Sequence, residues 1–343
     1  MPVEELMTHE GLKVPKERPA DLLLIAASFF GYAREIVSAL EQRGRRVLWF
    51  EDRPAVDTVT KATLRIAPGL LAKKADAYFA EIAERARAQA IRDVLVIKGE
   101  ALSCSAIRGL RAALPEARFT LYFWDGYGNM PKDSPAKVPL FDRAFTFDPA
   151  DAATDLRLRY RPLFFLDAYA NLPPAQPDID LLFFGTAHGD RYAVLRRLSR
   201  VLPQGVRFEK VLYFPSQLIY VARRVLDPRL RGARRSDFIF RPLGKPDVLR
   251  LVSRARAVVD IERSVQTGFT IRTMETVGAG KKLVTTNSKV LAAEFYDPDN
   301  VAVIDRQRPT LPATFFERPY NPPPARLLSR YSLSGWIDEV LGP

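Results

Sequence analysis

The amino-acid sequence predicts an α/β protein with two Rossmann-like, doubly wound domains that face a central cleft. Apolar, strand-like runs alternate with helical stretches along the chain, and each half opens on an apolar strand, a glycine-bearing turn and a helix. Three prolines in the seven residues 171–177 predict a linker between the halves. The length of 343 residues suits two domains of ordinary size.

The first half has the element order of a doubly wound domain. The run DLLLIAA at 21–27 is typical of a strand that is buried on both faces. A turn at 28–32 holds one glycine, which disfavours dinucleotide binding there, and REIVSALEQRG predicts the first helix. Further strands are predicted at RRVLWFED, 93–98, 119–124 and 142–147, and helices near 73–89 and 105–113.

The second half repeats this order. IDLLFFG predicts its first strand, which leads into a tight turn at 186–190 and a helix rich in Arg and Leu. The tail SLSGWIDEVLGP predicts a final amphipathic helix. The remaining predicted strands are VRFEKVLYF, SDFIFRPL, RAVVDIE, KKLVTT and NVAVID.

The most informative segment is DIERSVQTGFTIRTMETVGAGKKLVTTN at 260–287. It predicts a strand, a turn at Gly268, a helix over 269–277 and a second strand. Free backbone N–H groups at such a helix start favour a phosphate. Arg272 and Glu275 lie one turn apart, so they can offer a cation and a hydroxyl-binding carboxylate to one ligand. A nucleotide sugar needs both, whereas the alternative is an ordinary βαβ unit whose glycines only cap the helix.

This segment resembles the donor-binding segment of glycosyltransferases with the GT-B architecture. It is most similar to bacterial capsule and lipopolysaccharide enzymes of the CgeB-like group, whose pattern runs roughly QTGxTxRTxExxGxGKKLxTTN. Residues 183–192, FFGTAHGDRY, resemble a run like FxGTAHxDRY that begins the second domain in the same group. The resemblance implies an acceptor-binding domain over 1–170, a donor-binding domain over 178–320, and a helix within 321–343 that crosses back to the first domain.

The resemblance also implies roles for single residues. Glu275, seven residues after Gly268, is expected to hold the donor ribose, and Arg272 is expected to face the diphosphate. Thr267 stands where many retaining enzymes carry a second glutamate, so retention and inversion both stay open. The expected donor-binding residues are Gly185, Thr186, His188, Arg191, Arg241, Gln266, Thr267, Gly268, Arg272, Glu275 and Lys281.

If transfer inverts the sugar, a general base is expected from the first domain. Asp125 ends a predicted strand before a glycine-rich turn, and Glu100 follows the strand end VIKG. His188, directly after an apolar strand, is the third catalytic candidate. Each also has a purely structural interpretation, as a turn-capping carboxylate or a packed histidine. The expected acceptor-binding residues are Phe30, Gly31, Tyr32 and Lys98.

Positive charge is concentrated in one part of the chain. The net charge is +12, and residues 180–256 hold 17 basic and 6 acidic residues. Phosphorylated donors, the anionic face of an inner membrane, nucleic acid or a merely solvated surface would each suit this excess. No RNA-binding signature, zinc finger or helix-turn-helix pattern accompanies the charge, so we expect no nucleic-acid partner.

The composition also bears on cofactors and location. One cysteine and two histidines disfavour a metal site, so no cofactor is expected beside the nucleotide-sugar substrate. The polar first residues do not resemble a signal peptide, and no apolar run is long enough to span a membrane. We therefore expect a cytoplasmic protein with peripheral contact to the inner face of the cytoplasmic membrane.

Together these observations predict a glycosyltransferase. It would move a sugar from a nucleotide-sugar donor to a glycan or lipid-linked acceptor in bacterial surface polysaccharide biosynthesis. Three alternatives stay open: a non-catalytic subunit of the same fold that binds a nucleotide sugar or another phosphate ligand, an epimerase of nucleotide sugars, and a nucleic-acid-binding protein that uses the basic segment 180–256.

Overall fold

A computed structural model describes residues 19–28, 31–54, 68–263 and 266–342 of the chain. These residues form two six-stranded sheets, and every strand pair within them is parallel. Residues 171–178, between the sheets, contain no helix or strand. None of the helices in the described ranges combines the length and the apolar character needed to cross a bilayer.

The first sheet has the strand order β2-β1-β3-β4-β5-β6. Its strands are β1 (Leu22–Ile25), β2 (Val47–Phe50), β3 (Asp93–Ile97), β4 (Arg118–Phe123), β5 (Arg143–Thr146) and β6 (Arg159–Tyr160). The accompanying helices are α1 (Tyr32–Gln42), α2 (Pro68–Arg87), α3 (Cys104–Ala113), α4 (Ser134–Lys137), α5 (Pro149–Thr154) and α6 (Asp167–Ala170).

The second sheet has the order β12-β11-β10-β7-β8-β9. Its strands are β7 (Ile179–Thr186), β8 (Phe208–Tyr213), β9 (Phe238–Ile239), β10 (Ala255–Asp260), β11 (Lys282–Thr285) and β12 (Val301–Val303). Its helices are α7 (Arg191–Val201), α8 (Gln217–Leu226), α9 (Lys245–Arg254) and α10 (Ile271–Gly278), and the chain ends with α11 (Thr314–Glu317), α12 (Ala325–Tyr331) and α13 (Leu333–Leu341).

The uninterrupted apolar sequence of β1 follows from burial of both faces of the sheet. Leu22 and Leu24 belong to the hydrophobic cluster that includes residues of α1 and α13. Leu23 and Ile25 belong to the cluster on the other face, formed with α2 and α3. Because successive side chains of a strand point to opposite faces, a strand between two helical layers needs an apolar residue at every position.

One hydrophobic cluster runs through both domains. It joins the helical face of the first sheet to Met274 and Val277 of α10. Phe165, which follows β6, lies against Gly278 so closely that an added Cβ would overlap its ring. The Leu333 N–H donates to the Phe165 carbonyl oxygen at 2.9 Å. The two domains are therefore packed together and are not joined by the linker alone.

The carboxyl-terminal helix α13 crosses back to the first domain. Trp336 is fully buried, and its ring centroid lies 4.8 Å from that of Tyr122 in β4. Arg43, just after α1, pairs with Asp338 at 2.7 Å. These contacts confirm the crossover and, with the two parallel sheets, the predicted α/β fold class. Elements that the sequence analysis does not predict include β6, α8 and α9.

In each sheet the strand order reverses beside the first strand, between β1 and β3 and between β7 and β10. Open α/β sheets bind ligands at the carboxyl ends of the strands at such switch points. The carboxyl edges of the two sheets face each other here, since the loop after β5 is hydrogen-bonded to the loop after β10. The topology therefore directs both switch points towards the domain boundary.

Gly278→Ala should destabilise the protein, because the new methyl group must displace Phe165 in the interdomain core. Overpacking of this kind costs about 1–3 kcal/mol. The matched control is Gly109→Ala on the exposed face of α3, where the glycine has open space and alanine should be neutral or stabilising. Urea unfolding measures both changes, and equal midpoints for the two variants would contradict the packing described.

Candidate functional site

The loop between β10 and α10 is held from the first domain by Asp148. The backbone N–H groups of Thr267 and Gly268 donate to Asp148 Oδ2 at 3.0 and 3.2 Å, and the Thr267 hydroxyl donates to the other carboxylate oxygen. Asp148 is the N-cap of α5 and is only 3% exposed. The turn at Gly268 is predicted to bind a phosphate. In the structure, two of its N–H groups donate to the Asp148 carboxylate of the first domain instead.

Other contacts fix the shape of this loop. Asp260, at the end of β10, accepts hydrogen bonds from the hydroxyls of Thr270 and Thr273, both at 2.8 Å. The Asn287 side chain donates to the Gly268 carbonyl oxygen at 3.2 Å. A Cβ on Gly268 would overlap Phe147 of the first domain. Only glycine therefore allows the two backbones to approach this closely.

Glu275, the expected ribose ligand, is buried on α10 at the domain boundary. It accepts hydrogen bonds from the Tyr32 hydroxyl at the start of α1 and from Arg272 Nη1 at 3.2 Å. Burial raises the pKa of Glu275, and the charge of Arg272 together with the hydroxyls of Tyr32 and Tyr169 opposes that rise. Tyr32, an expected acceptor residue, thus reaches across the cleft to an expected donor residue.

Arg272 lies at the switch point of the second sheet. Its guanidinium is 3.2 Å from the ring centroid of Phe184, near the end of β7. Gly185 and Thr186 complete the same strand. The side chain of Arg272 therefore joins α10 to the end of β7, and its role in binding the diphosphate stays a prediction.

A cavity of about 640 Å³ opens at the same switch point. This volume is in the range of sites that bind small molecules. Arg306 pairs with two of the lining carboxylates, Asp190 at 2.8 Å and Glu262 at 2.7 Å, so the remaining charge of the lining is positive. The lining residues are His188, Gly189, Asp190, Arg191, Arg223, Asp227, Arg229, Glu262 and Arg263.

Arg191 connects the two loops that form this cavity. Its Nε donates to the Ile261 carbonyl oxygen at 2.9 Å and its Nη1 to that of Thr186 at 3.3 Å. Burial lowers the pKa of Arg191 to about 10, so the side chain remains a cation at neutral pH.

His188 lies in the same lining as a neutral imidazole. Burial lowers its pKa to about 4, and the charges of Arg191, Arg263 and Arg223 act in the same direction. A neutral imidazole can donate one hydrogen bond to an anion and accept another. The structure therefore brings His188 and Arg191 together, and Arg272 and Glu275 lie on α10, outside the cavity lining.

The candidate residues of the first domain meet at the carboxyl ends of β3 and β4. Lys98 Nζ lies 2.9 Å from the carboxylate of Asp125 and 3.0 Å from that of Glu100. Burial alone would raise the pKa of Glu100, but the hydrogen bond and charge of Lys98 lower it. Among the described residues, Lys98 is the one non-glycine residue with positive φ, at 70°. Backbone strain of this kind recurs at functional sites.

Three further predicted donor residues lie apart from the cavity. Lys281 precedes β11 and donates to the Ser253 carbonyl oxygen at 2.9 Å, which places it at the amino-terminal edge of the sheet, opposite the cavity. Arg241 is exposed beyond β9, the edge strand. Gln266 is half-buried in the loop held by Asp148.

The remaining acceptor candidates are at the start of α1. Gly31 precedes the helix with a left-handed φ of 79°, which explains the glycine there. Phe30 lies outside the described residues. No group of His, Cys, Asp and Glu side chains in the described ranges is arranged to hold a metal ion.

Several residues that shape the site are not among those predicted from the sequence. Asp148 follows β5 just as Asp125 closely follows β4, so its place after a predicted strand was a usable signal. Arg223 on α8 and Arg229 just after it also line the cavity, and α8 itself is not predicted from the sequence. Asp52, after β2, is fully buried beside Arg53, and one of its carboxylate oxygens has no hydrogen-bond partner.

Comparison with solved structures places this architecture among GT-B glycosyltransferase folds. The Anabaena protein Alr3699/HepE, in complex with UDP and glucose, superimposes with a TM-score of 0.60 at 12% identity, over 94% of this chain and 98% of that one. A glycosyltransferase from Rickettsia africae gives 0.60 at 11% identity, over 95% and 97%. A UDP-forming α,α-trehalose-phosphate synthase from Burkholderia vietnamiensis gives 0.57 at 14% identity, over 94% and 99%.

At these identities the similarity establishes the fold. No family model matches the sequence, and no curated protein matches it significantly. Membership of the CgeB-like group therefore stays a prediction that rests on the motif at 260–287.

Asp148→Asn should lower the free energy of unfolding by roughly 1.5–3 kcal/mol, the usual contribution of a hydrogen bond to a charged group. The amide cannot accept from all the donors that now converge on the carboxylate. The control is Asp338→Asn, which removes an exposed interdomain ion pair and should change stability little. Urea unfolding measures both variants. Equal changes in the free energy of unfolding would show that the Asp148 hydrogen bonds stabilise the protein no more than an exposed ion pair does.

The imidazole of His188 should titrate near pH 4, below its ordinary value of about 6.5. The chain has two histidines, so NMR of the imidazole protons is simple, and His188→Gln assigns its signals. Removing one neighbouring cation with Arg263→Gln should raise the pKa of His188, because the protonated form is then less repelled. Titration near 6.5 in the unsubstituted protein would contradict the buried, arginine-flanked environment.

Proposed function

We propose that this protein is a glycosyltransferase that uses a nucleoside-diphosphate sugar as donor. The observation that carries the proposal is the arginine-rich cavity at the β7/β10 switch point, on the carboxyl edge of the second sheet. Its volume of about 640 Å³ and its positive lining suit a nucleotide sugar. The similar Anabaena structure, which contains UDP and glucose, is consistent with this ligand class.

In this proposal the diphosphate lies against Arg191 and Arg263, and His188 donates a hydrogen bond to one of its oxygens. Charge-assisted bonds from arginine to phosphate are about twice as strong as neutral ones. They also stabilise the negative charge that develops on the leaving diphosphate. A ribose can reach Glu275 only if the Tyr32 hydroxyl withdraws. Ribose binding to Glu275 then requires movement of the Tyr32 side chain.

The acceptor hydroxyl is proposed to approach Lys98, Glu100 and Asp125. Asp125 is the first candidate for the base that takes the hydroxyl proton, ahead of Glu100 and His188, because Gly126 and Gly128 in the turn that follows it leave its carboxylate accessible. Lys98 would hold the carboxylate in place through the ion pair at 2.9 Å. The stereochemical course stays open. The motif at 260–287 supports a glycan or lipid-linked acceptor in bacterial surface polysaccharide synthesis.

The first test of this proposal is donor binding. Calorimetric titration with a panel of nucleoside-diphosphate sugars, UDP-glucose included, should identify a ligand. Arg263→Gln should weaken its binding about tenfold or more, the equivalent of losing one charged hydrogen bond. Arg256→Gln is the matched control, since it removes an arginine paired with Asp180 from the amino-terminal part of β10, near the opposite edge. Equal donor affinities of the two variants would show that the donor does not bind in this cavity.

Turnover separates an enzyme from a binding subunit. With the identified donor and a polysaccharide or lipid-linked acceptor, release of the nucleoside diphosphate should fall by roughly 10²–10⁴-fold in Asp125→Asn. Donor affinity should stay unchanged in that variant. Glu100→Gln, which removes the other partner of Lys98, should retain most of the turnover. The reverse result would make Glu100 the base, and binding without turnover would favour the non-catalytic subunit.

A further inference from the structure

Helix α8 presents its apolar residues to solvent. Five of the nine large hydrophobic side chains that are exposed in the described part of the chain belong to this helix of ten residues. Leu218, Val225 and Leu226 are 83%, 81% and 80% exposed, and Ile219 and Val221 are the other two. An exposed cluster of this kind usually marks an interaction surface.

The geometry of α8 explains why these residues form one continuous face. At about 100° per residue, the five exposed side chains fall within an arc of roughly 160°. Tyr220 points the opposite way and anchors the helix. It is 3% exposed, its ring centroid is 5.6 Å from that of Phe214, and its hydroxyl donates to the Ala233 carbonyl oxygen at 3.1 Å. Surface helices normally turn the apolar stripe to the core, and α8 reverses that arrangement.

Positive charge surrounds the outward stripe. On the helical wheel Arg223 and Arg224 border it on opposite sides, and both are exposed. The segment that follows α8 adds the exposed arginines Arg231, Arg234 and Arg235, whereas Arg229 pairs with Asp227 at 2.8 Å. Long cationic side chains beside an apolar stripe can keep their charge in the headgroup layer while the stripe enters the hydrocarbon boundary.

We propose that α8 docks this protein on an anionic bilayer surface, with Leu218, Val221 and Val225 inserted and the arginines among the lipid headgroups. Both the apolar stripe and the charge around it are matched by such a surface.

A second copy of the chain fits less well, because a twofold contact would oppose the same arginines. A helix of about 15 Å also offers far less than the roughly 800 Å² per partner of a stable dimer. Nucleic acid would use the arginines but not the aliphatic stripe.

This surface adjoins the cavity of the proposed donor site. Arg223 of α8 and Arg229 beyond it line that cavity. If the proposed function holds, a docked α8 keeps the cavity close to the membrane, where a lipid-linked acceptor is presented. Docking itself requires only the exposed stripe and its arginines.

The test is flotation with vesicles of phosphatidylcholine containing phosphatidylglycerol, compared with phosphatidylcholine alone. The protein should bind the anionic vesicles preferentially, and added salt should weaken binding. The double variant Leu218→Gln, Val225→Gln should lose at least about tenfold in binding, because two aliphatic groups no longer enter the bilayer. Leu156→Gln is the matched control, since Leu156 is 90% exposed on the first domain and should not affect binding.

Several outcomes would overturn the proposal. These are absence of preference for the anionic vesicles, equal binding by the double variant and the unsubstituted protein, or an equal loss in Leu156→Gln. A dimer in light scattering that the double variant disrupts would assign the stripe to a second copy instead. Nucleotide-sugar titration without vesicles, which depends on the cavity, tests the donor site separately. Thermal melting of each variant shows that a loss of binding does not come from unfolding.

Discussion

The contact on which this structure depends is the meeting of two parallel sheets at their carboxyl edges, centred on Asp148. This buried carboxylate accepts two backbone N–H groups and one hydroxyl from the loop after β10. Gly268 and Gly278 let Phe147 and Phe165 approach within a distance that no larger residue allows. The conformation of the loop that precedes Arg272 and Glu275 therefore depends on the first domain as well as on its own sequence.

The two sides of the boundary differ in their electrostatics, and the difference suits transfer from an anionic donor to a hydroxyl acceptor. The second sheet gathers arginines around His188, whose pKa falls because burial disfavours its charged form and because the arginines repel a further cation. A diphosphate would relieve this repulsion. On the first sheet, Lys98 and Arg53 pair with Glu100 and Asp125, so the local charge is closer to neutral. The proposed donor and acceptor sites thus follow from charge as well as from topology.

The arginine cavity and the outward stripe of α8 share a border at Arg223. In the two proposals, positive charge there would serve two anions at once, a diphosphate in the cavity and lipid headgroups outside it. Both proposals would account for the concentration of basic residues between 180 and 256 without a nucleic-acid motif. The same arginines that, together with burial, lower the pKa of His188 would also favour an anionic surface near the cavity.

The sequence by itself determined the α/β class, most of the strands and the turn at Gly268, because these follow from local periodicity and turn chemistry. The tertiary structure alone decided that Asp148 caps that turn, that Tyr32 reaches Glu275, and that Lys281 lies at the opposite edge of its sheet. Asp148 and Thr267 are 119 residues apart in the sequence, and Tyr32 and Glu275 are 243 residues apart. Such pairs form only when two complete sheets pack, and no local pattern records which strand ends will then meet.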